Sequence, residues 1–488
     1  MSTIESLSFD NTYARLPEAF YRRVKPTPLP ATYLISFNGV AADLIGLDPQ
    51  EAERPEFAEY FSGNKLLPGG EPISAIYAGH QFGTFVPQLG DGRAILLGEA
   101  VNARGERWDV QLKGAGLTPF SRAGDGRAVL RSTIREYLCG EAMHALGIPT
   151  TRSLCIVGSD EPVYRERIET AAVLTRLAPT HVRFGSFELF SHRGQEERVR
   201  ELADYVVRHH YPHLVEAEDI YLQFLREVIN RTARLIAQWQ AVGFAHGVMN
   251  TDNMSIIGWT IDYGPFGFLD EFDAGFVCNH SDYGGRYAFD QQPGVALWNL
   301  SCLAQTLLPF VERDAAIAAL NEYQPLFIKA YGDLMRAKLG LVRELPDDAR
   351  FVSRSLQLLQ TNAADYTHFF RRLCDFKTDP EASNSHLRDM FIDPPVFDDW
   401  ATEYRARLWV EDSIDAERGE RMRLINPKYI FRNHVAQQAI EQAQAGDYGD
   451  VNTLLEVLQR PFDEQPGMER FAEPPAEGSK RVVVSCSS

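Results

Sequence analysis

Asn253 and Asp262, near the middle of the chain, have the side-chain types and the spacing of metal ligands. Residues 246–253 read HGVMNTDN, and the apolar run MSIIGWTI then leads to Asp262 in the tripeptide DYG. A turn followed by a short hairpin brings two such residues together. Two protein oxygens suit Mg²⁺, which keeps much of its water and binds substrate phosphates. The alternative is that both side chains cap local backbone.

The spacing of this segment matches the catalytic loop of protein kinases. His246 and Asn253 stand at the interval of H-R-D-x-x-x-x-N, and D-Y-G takes the place of D-F-G. Val248 occupies the position of the usual aspartate. Asp252, directly before the metal ligand, is therefore the candidate general base. It could instead act by orienting Asn253.

A lysine and a glutamate upstream extend the pattern. Lys113 ends the alternating run WDVQLK, and Glu136 follows in the helix-like run RSTIRE. Kinases place a phosphate-binding lysine and its partner glutamate in this order. A lone pair of this kind is usually a solvated surface pair. The order of lysine, glutamate, asparagine and aspartate along the chain favours the functional interpretation.

Glycine turns could bring backbone close to phosphates. Gly90 and Gly92 lie in LGDGRA, directly before Arg93, although hairpins use the same residues. The five residues GDGRA recur at 124–128 and contain Asp125 and Gly126. This second copy either forms a turn before a helix or lines a nucleotide pocket.

Two arginines flank a proline turn in TRLAPTHVRFG. Arg176 and Arg183 could clamp a triphosphate with planar donors, or they could form surface ion pairs.

These residues need a sheet and helices to position them. The runs RAILLGEAV, RWDVQLKG, SLCIVG and AAVLTRLA predict strands. Helical spacing predicts one helix over residues 127–146, ended by Gly147, and a long buried helix that stops at Gly243. Further helices are expected over 294–335, 352–375 and 400–460.

The pattern predicts an α+β fold: a protein-kinase-like bilobal fold with a β-rich N-lobe, a mainly helical C-lobe and extensions at both ends. The predicted units are an N-terminal extension packed on the N-lobe (1–70), the N-lobe (71–190), the C-lobe with the catalytic and metal-binding loops (191–335), a helical C-terminal extension (336–462) and a flexible tail (463–488).

Composition limits the function classes. The net charge is −18, from 67 acidic and 49 basic residues, so no nucleic-acid partner is expected. The start MSTIESLSFD has no signal-peptide pattern, and no run approaches the ~18 apolar residues of a membrane span. The expectation is a cytoplasmic protein without membrane association, and a monomer, since nothing resembles a coiled coil.

The sequence resembles the selenoprotein O family of protein adenylyltransferase pseudokinases, and the resemblance spans nearly the whole chain. It is carried by NTYARLPEAFY, YAGHQFGTFVPQLGDGRA, QLKGAG, GDGRAVLRSTIREYL, TRLAPTHVRFGSFE, HGVMNTDNMSIIGWTIDYGPFGFLD and NPKYIFRNH. It implies transfer of AMP from ATP to Ser, Thr or Tyr hydroxyls of target proteins, with release of pyrophosphate. The preferred ion, Mg²⁺ or Mn²⁺, and the targets are left open.

The resemblance also implies a role for each matching residue. Lys113, Arg176 and Arg183 would bind phosphates, and Glu136 would hold Lys113. Asp252 would act as the base. The remaining assignments are the glycine-rich turn Gly90, Gly92 and Arg93, nucleotide contacts from Asp125, Gly126 and Asp262, and metal ligation by Asn253 and Asp262.

Two other functions stay open. One is an ordinary kinase that transfers the γ-phosphoryl group to a protein or a small alcohol, which the missing aspartate at Val248 disfavours. The other is an inactive ATP-binding scaffold, which the retained metal ligands disfavour.

Two cysteines suggest redox control. Cys278 follows the DYG motif where kinases have an activation segment, and Cys486 stands near the C-terminus, where related proteins carry selenocysteine. The two could form a disulfide that restrains this segment, or remain unlinked thiols.

Overall fold

The computed structural model describes residues 1–476 and 478–485. Within them, strands dominate the first part of the chain and helices the remainder. The predicted α+β class is confirmed, and this division is consistent with a bilobal arrangement. Among the described helices, none is both long and apolar enough to cross a membrane.

Most strands precede residue 179. The strands of the described residues, β1 to β12 in chain order, are Tyr21–Arg23, Tyr33–Phe37, Ile73–Ala75, Gly79–Gln81, Thr84–Val86, Ala94–Val101, Arg107–Lys113, Ala128–Val129, Arg152–Tyr164, Ile168–Ala178, Phe244–Ala245 and Gly267–Phe268.

One antiparallel sheet has the strand order β1-β3-β6-β7-β10-β9-β2, with β8 also paired to β10. In its centre, Arg176 of β10 lies opposite Gln111 of β7, and Leu174 lies opposite Lys113. Because side chains alternate between the faces of a strand, Gln111, Lys113 and Arg176 share one face of the sheet. The register thus places a lysine and an arginine side by side.

The other face of the sheet is covered by the N-terminal segment. Val110 and Leu112, which alternate with the polar residues of β7, are buried in one cluster with Phe57 and Phe61. The N-terminal 70 residues also supply β1 and β2 to the sheet itself. They therefore hold the functional face in place from behind.

The helices of the described residues, α1 to α16 in chain order, are Gly39–Ala42, Glu56–Ser62, Leu130–Ala145, Phe184–His192, Glu196–His210, Ile220–Val242, Gln292–Leu307, Arg313–Asn321, Tyr323–Lys338, Asp348–Thr361, Tyr366–Leu373, Ser385–Arg388, Pro394–Trp409, Asp415–Arg423, Asn433–Gln444 and Gly449–Leu458.

The two helices predicted with end points are confirmed. Helix α3 runs over Leu130–Ala145, and Gly147 follows it with a left-handed φ of 77°. Helix α6 ends where Gly243 adopts φ 77° and its N–H bonds back to the last turn. Glycine takes this conformation without the penalty of a Cβ, which explains why both helices stop there.

The C-terminal helices return to the β-rich half. Ile440 of α15 and Leu454 of α16 share a buried cluster with Leu138 and Met143 of α3. Further on, Phe471 is buried, and the backbone N–H of His280 donates to the carbonyl of Val484 over 2.8 Å. The described part of the predicted tail thus contacts the segment after the DYG motif. Cys486 lies outside the described residues.

Candidate active site

The predicted lysine and glutamate meet at the edge of the sheet. The ammonium of Lys113, at the end of β7, donates to the carboxylate of Glu136 on α3. Glu136 also accepts from Arg176 over 3.1 Å. Burial lowers the pKa of Lys113, although the negative charge of Glu136 acts in the opposite direction and raises it. Sheet register and helix α3 together bring two cations and one carboxylate to a single point.

Asp262 lies at the centre of the site. One of its carboxylate oxygens accepts from Arg176 and the other from Arg183. Burial by itself raises its pKa, but Arg183, Arg176 and Lys113 outweigh this and hold the pKa of Asp262 well below its usual range. Its side chain remains 21% exposed. The carboxylate is therefore charged and reachable from the cleft.

The backbone at Asp262 is strained. Its φ of 57° lies in the left-handed region, which costs a residue with a Cβ about 1–2 kcal/mol. Such strain persists only where surrounding contacts fix the residue, and it occurs often at functional sites. Here the two arginines supply those contacts.

Arg183 connects Asp262 to the predicted catalytic turn. It directly precedes α4, and its guanidinium also donates to the backbone carbonyl of Asp252 over 2.8 Å. The flanking segments are paired, since the N–H of Phe184 donates to the carbonyl of Met254 over 2.9 Å. Arg183 thus bridges the Asp262 carboxylate and the turn that contains Asn253.

The turn Thr251–Asn253 presents the candidate base and the candidate ligand. The amide nitrogen of Asn253 donates to the carbonyl of Val248 over 3.0 Å, so its amide oxygen points away from that carbonyl. With Asp262 this gives an all-oxygen donor set, which fits Mg²⁺ or Mn²⁺.

Asp252 is almost completely buried, with 7% of the residue exposed. Its Oδ2 accepts from Gln81 Nε2 over 3.2 Å, whereas its Oδ1 has no hydrogen-bond partner among the described residues. Burial raises the pKa of Asp252 to about 6, although Gln81 and Arg183 oppose the shift. One oxygen is thus left for a further donor.

The first glycine turn packs closely against Phe120. The N–H of Asp91 donates to the carbonyl of Ala75 over 2.9 Å, and the carbonyl of Asp91 accepts from Thr118 over 2.7 Å. A Cβ on Gly90 would lie 2.5 Å from the ring of Phe120, and one on Gly92 would lie 2.9 Å from the carbonyl of Phe120. Arg93 follows at the surface of the cleft.

The second glycine turn is held differently. Asp125 accepts from Arg165 over 2.7 Å and from the backbone N–H of Arg127 over 2.9 Å. Gly126 adopts φ 72° against Gly116, to whose N–H it offers its carbonyl at 3.1 Å. Asp125 and Gly126 form a local turn, and no hydrogen bond or ion pair among the described residues joins them directly to the Asp262 cluster.

Several residues of the site were not predicted from the sequence motifs. Gln111 accepts from Arg176, and the ring of Tyr77 stacks 4.6 Å from the guanidinium of Arg183. Gln81 and Glu188 contact the catalytic turn. Alternation could have indicated Gln111, two residues before Lys113 on the same strand. The others depend on long-range contacts that spacing does not reveal.

Clustered cations, an oxygen donor set and a buried carboxylate define a class of site. A lysine, two buried arginines and a glycine turn suit a polyphosphate, and Asn253 and Asp262 suit its divalent ion. The arrangement is that of a nucleotide-dependent transferase.

Sequence comparison identifies the family within this class. A family model described as "Protein adenylyltransferase SelO" matches residues 3–459. Proteins named protein nucleotidyltransferase YdiU are similar over the full length of both chains: 59% identical in Thiobacillus denitrificans, 58% in Myxococcus xanthus and 52% in Pseudomonas fluorescens. The chain belongs to the SelO family of protein adenylyltransferases, and the predicted resemblance is confirmed.

Proposed function

We propose that this protein transfers AMP from ATP to Ser, Thr or Tyr hydroxyls of target proteins and releases pyrophosphate. The observation that carries the proposal is the binding of Asp262 by Arg176 and Arg183 next to the Lys113–Glu136 pair. A family of protein adenylyltransferases takes its adenylyl group from ATP, and this cluster holds the complementary charges for a triphosphate.

In this proposal the arginines exchange partners when the nucleotide binds. Arg176 and Arg183 move from the carboxylate of Asp262 to phosphate oxygens, which planar guanidinium groups bind in the same geometry. Lys113 adds a point charge, held in place by Glu136. Gly90, Gly92 and Arg93 cover the phosphates from the sheet. Asp125, which Arg165 binds in this structure, and Gly126 would contact the nucleotide from the second glycine turn.

Asn253 and Asp262 would hold the divalent ion, Mg²⁺ or Mn²⁺. Such an ion neutralises phosphate charge during the transfer. Release of Asp262 from its arginines frees both of its carboxylate oxygens to bind the metal ion. The same exchange frees Arg176 and Arg183 to bind the phosphates.

Asp252 is the proposed general base. The hydroxyl oxygen of the target attacks the α-phosphorus, its proton goes to Asp252, and the bond from the α-phosphorus to the bridging oxygen breaks as pyrophosphate leaves. The proposal is supported by the buried Oδ1, which has no partner among the described residues and can accept this hydrogen bond.

The proposal also includes a more specific fold class than α+β. We infer a kinase-like bilobal fold with the predicted unit boundaries, supported by the strand position of Lys113, the helix position of Glu136 and the turn that carries Asn253. The monomeric state and the cytoplasmic location stay predictions.

Redox regulation through a Cys278–Cys486 disulfide also stays a prediction, because Cys486 lies outside the described residues. It is supported by the contact between His280 and Val484, residues that are two positions from these cysteines. Peptide mapping of oxidised protein under non-reducing conditions tests it, and failure to find the linked peptides would exclude it.

Isotope labelling tests the transfer itself. The protein is incubated with ATP labelled at either the α- or the γ-phosphate, with Mg²⁺ or Mn²⁺ and a mixture of acceptor proteins. Label on protein from the α position alone supports adenylyl transfer. Label from the γ position would mean a kinase, and absence of label despite tight ATP binding would favour a scaffold.

A further inference from the structure

A small hairpin presses on the catalytic turn. It consists of β4 and β5, and its three consecutive residues 80–82 each donate a hydrogen bond to one of residues 250–252. The N–H of His80 donates to the hydroxyl oxygen of Thr251 over 2.7 Å, Gln81 donates to Asp252, and the N–H of Phe82 donates to the amide oxygen of Asn250 over 3.2 Å. Three hydrogen bonds therefore join the hairpin to residues 250–252.

Glu188, on helix α4, ties these two elements together. One carboxylate oxygen accepts from the ring Nδ1–H of His80 over 2.6 Å, and the other accepts from the hydroxyl of Thr251. Only 4% of Glu188 and none of Thr251 is exposed. A single buried carboxylate thus closes a ring of hydrogen bonds around His80 and Thr251.

Two glycines allow helix α4, the hairpin and the turn to pack in close contact. A Cβ on Gly79 would lie 2.5 Å from Oδ1 of Asp252, and one on Gly185 would overlap the carbonyl oxygen of Ala78 and lie 3.4 Å from Cα of Asp252. Helix α4, the hairpin and the turn are therefore in direct backbone contact. We therefore expect a change in the position of Glu188 to shift Asp252 as well.

We propose that Glu188 is a positioning residue for adenylyl transfer. It clamps the turn Thr251–Asn253 to the hairpin and to α4, which begins directly after Arg183. The base, the candidate metal ligand and a phosphate-binding arginine thus share one support. The inference rests on the proposed function. Because an error of about 1 Å in the position of a reacting group can cost ~100-fold in rate, loss of this clamp should lower kcat.

A metal site is the competing explanation for these side chains. Donor atoms of His80, Glu188 and Cys302 all lie within 4.8 Å of one another. Two ligands of a tetrahedral zinc ion stand about 3.3 Å apart, given metal–ligand distances near 2 Å. The 2.6 Å between His80 and Glu188 is instead a hydrogen-bond distance. The contacts to His80 and Thr251 already account for both oxygens of Glu188.

Substitutions at the two ends of the clamp test the proposal. Steady-state pyrophosphate release is measured for wild type, Glu188→Ala, Glu188→Gln, Thr251→Val and the double variant. We expect Glu188→Ala and Thr251→Val to lower kcat about 10- to 100-fold with KM for ATP changed by less than about twofold. The double variant, Glu188→Ala with Thr251→Val, should lose less than the product of the two single effects, because each single variant already removes the Thr251–Glu188 hydrogen bond. Glu188→Gln should retain most activity, since its amide oxygen can accept from Thr251 and its N–H can donate to Nδ1 of His80 once the imidazole carries its proton on Nε2.

A second readout does not depend on turnover. Amide hydrogen exchange of residues 250–253 should be faster in Glu188→Ala and close to wild type in Glu188→Gln. The matched control is Asp348→Ala, which breaks a buried ion pair with Arg407 between helices α10 and α13. It should lower stability but leave kcat of the folded protein unchanged.

Three results would overturn the inference. They are wild-type kcat and exchange in Glu188→Ala, additive losses in the double variant, or stoichiometric zinc in purified protein that disappears in Cys302→Ser. If Glu188→Ala does not fold, Thr251→Val and Glu188→Gln still decide between these results. Wild-type protein that transfers no AMP would contradict the proposed function instead, and the exchange data would still report on the clamp.

Discussion

Asp262 binds two arginines in this structure, while the proposed reaction needs the three groups for other partners. Its carboxylate is charged, strained in φ and open to the cleft. Both arginines stay on this carboxylate until a triphosphate and a divalent ion replace these contacts. In the proposed function the residue would therefore hold the two arginines before binding and the metal ion after it.

Replacement of Asp262 should abolish transfer. Asp262→Ala is expected to lower kcat at least about 100-fold, because both charge neutralisation and positioning are lost. Asp252→Ala should lose less, since the residual rate comes from positioning and electrostatics. Asp160→Ala, at an exposed aspartate, is the control. Substantial transfer by Asp262→Ala would contradict the assignment.

The residue scale also shows what the sequence could predict. Lys113, Glu136, Asn253 and Asp262 were identified because their order and local spacing follow a known pattern. Glu188 and Gln81 were not, because their roles depend on contacts made by distant segments. Asp125 shows a different limit: the repeated motif allows two roles, a local turn or a nucleotide contact, and the sequence does not decide between them.

Among the elements, α4, the hairpin and the catalytic turn depend on small residues at their contacts. Gly185→Ala should lower the free energy of unfolding by about 1–3 kcal/mol, because its Cβ overlaps backbone that cannot move freely. Chemical denaturation measures this. Gly294→Ala in α7 is the control: a Cβ there meets nothing within 4 Å, so stability should stay equal or rise by about 0.5–1 kcal/mol. Equal effects of both substitutions would contradict the close contact.

Helix α9 carries a buried lysine that makes stability depend on pH. Lys338 lies over the ring of Phe370 at 4.3 Å, and burial lowers its pKa to about 7. The unfolded chain, with a lysine pKa near 10.4, binds more protons above pH 7. This group therefore adds stability as pH rises from about 7 to 10, and destabilises the fold most below that range.

Lys338→Met removes this dependence. The variant should be more stable than wild type at pH 7, and the difference should shrink by about 1–3 kcal/mol between pH 7 and 9. Lys329→Met, at an exposed lysine of the same helix, should show no such trend. Parallel stability curves for wild type and Lys338→Met would show that Lys338 titrates as in the unfolded chain.

Across the whole molecule, the C-terminal stretch contacts the segment after the DYG motif. Arg481 lies 4.9 Å from the ring of Phe276, and Val484 accepts from His280. The order of elements and the class of fold were predictable from periodicity and glycine stops. The contact between the C-terminal stretch and the segment after the DYG motif was not predictable, because a segment rich in Pro, Glu and Gly carries no periodic signal.

Removal of residues 477–488 should therefore loosen that segment. Under reducing conditions we expect faster amide exchange over residues 276–285 with a small change in overall stability. Removal of residues 486–488 alone keeps the described contacts and should leave exchange as in wild type. Unchanged exchange in the longer truncation would contradict a restraining role.

The most direct test of the account is a structure with Mg²⁺ or Mn²⁺ and α,β-methylene ATP, which cannot release pyrophosphate. The account predicts phosphates on Lys113, Arg176 and Arg183, and the ion on Asn253 and Asp262. A nucleotide bound elsewhere, or arginines that remain on Asp262 with the nucleotide bound, would contradict it.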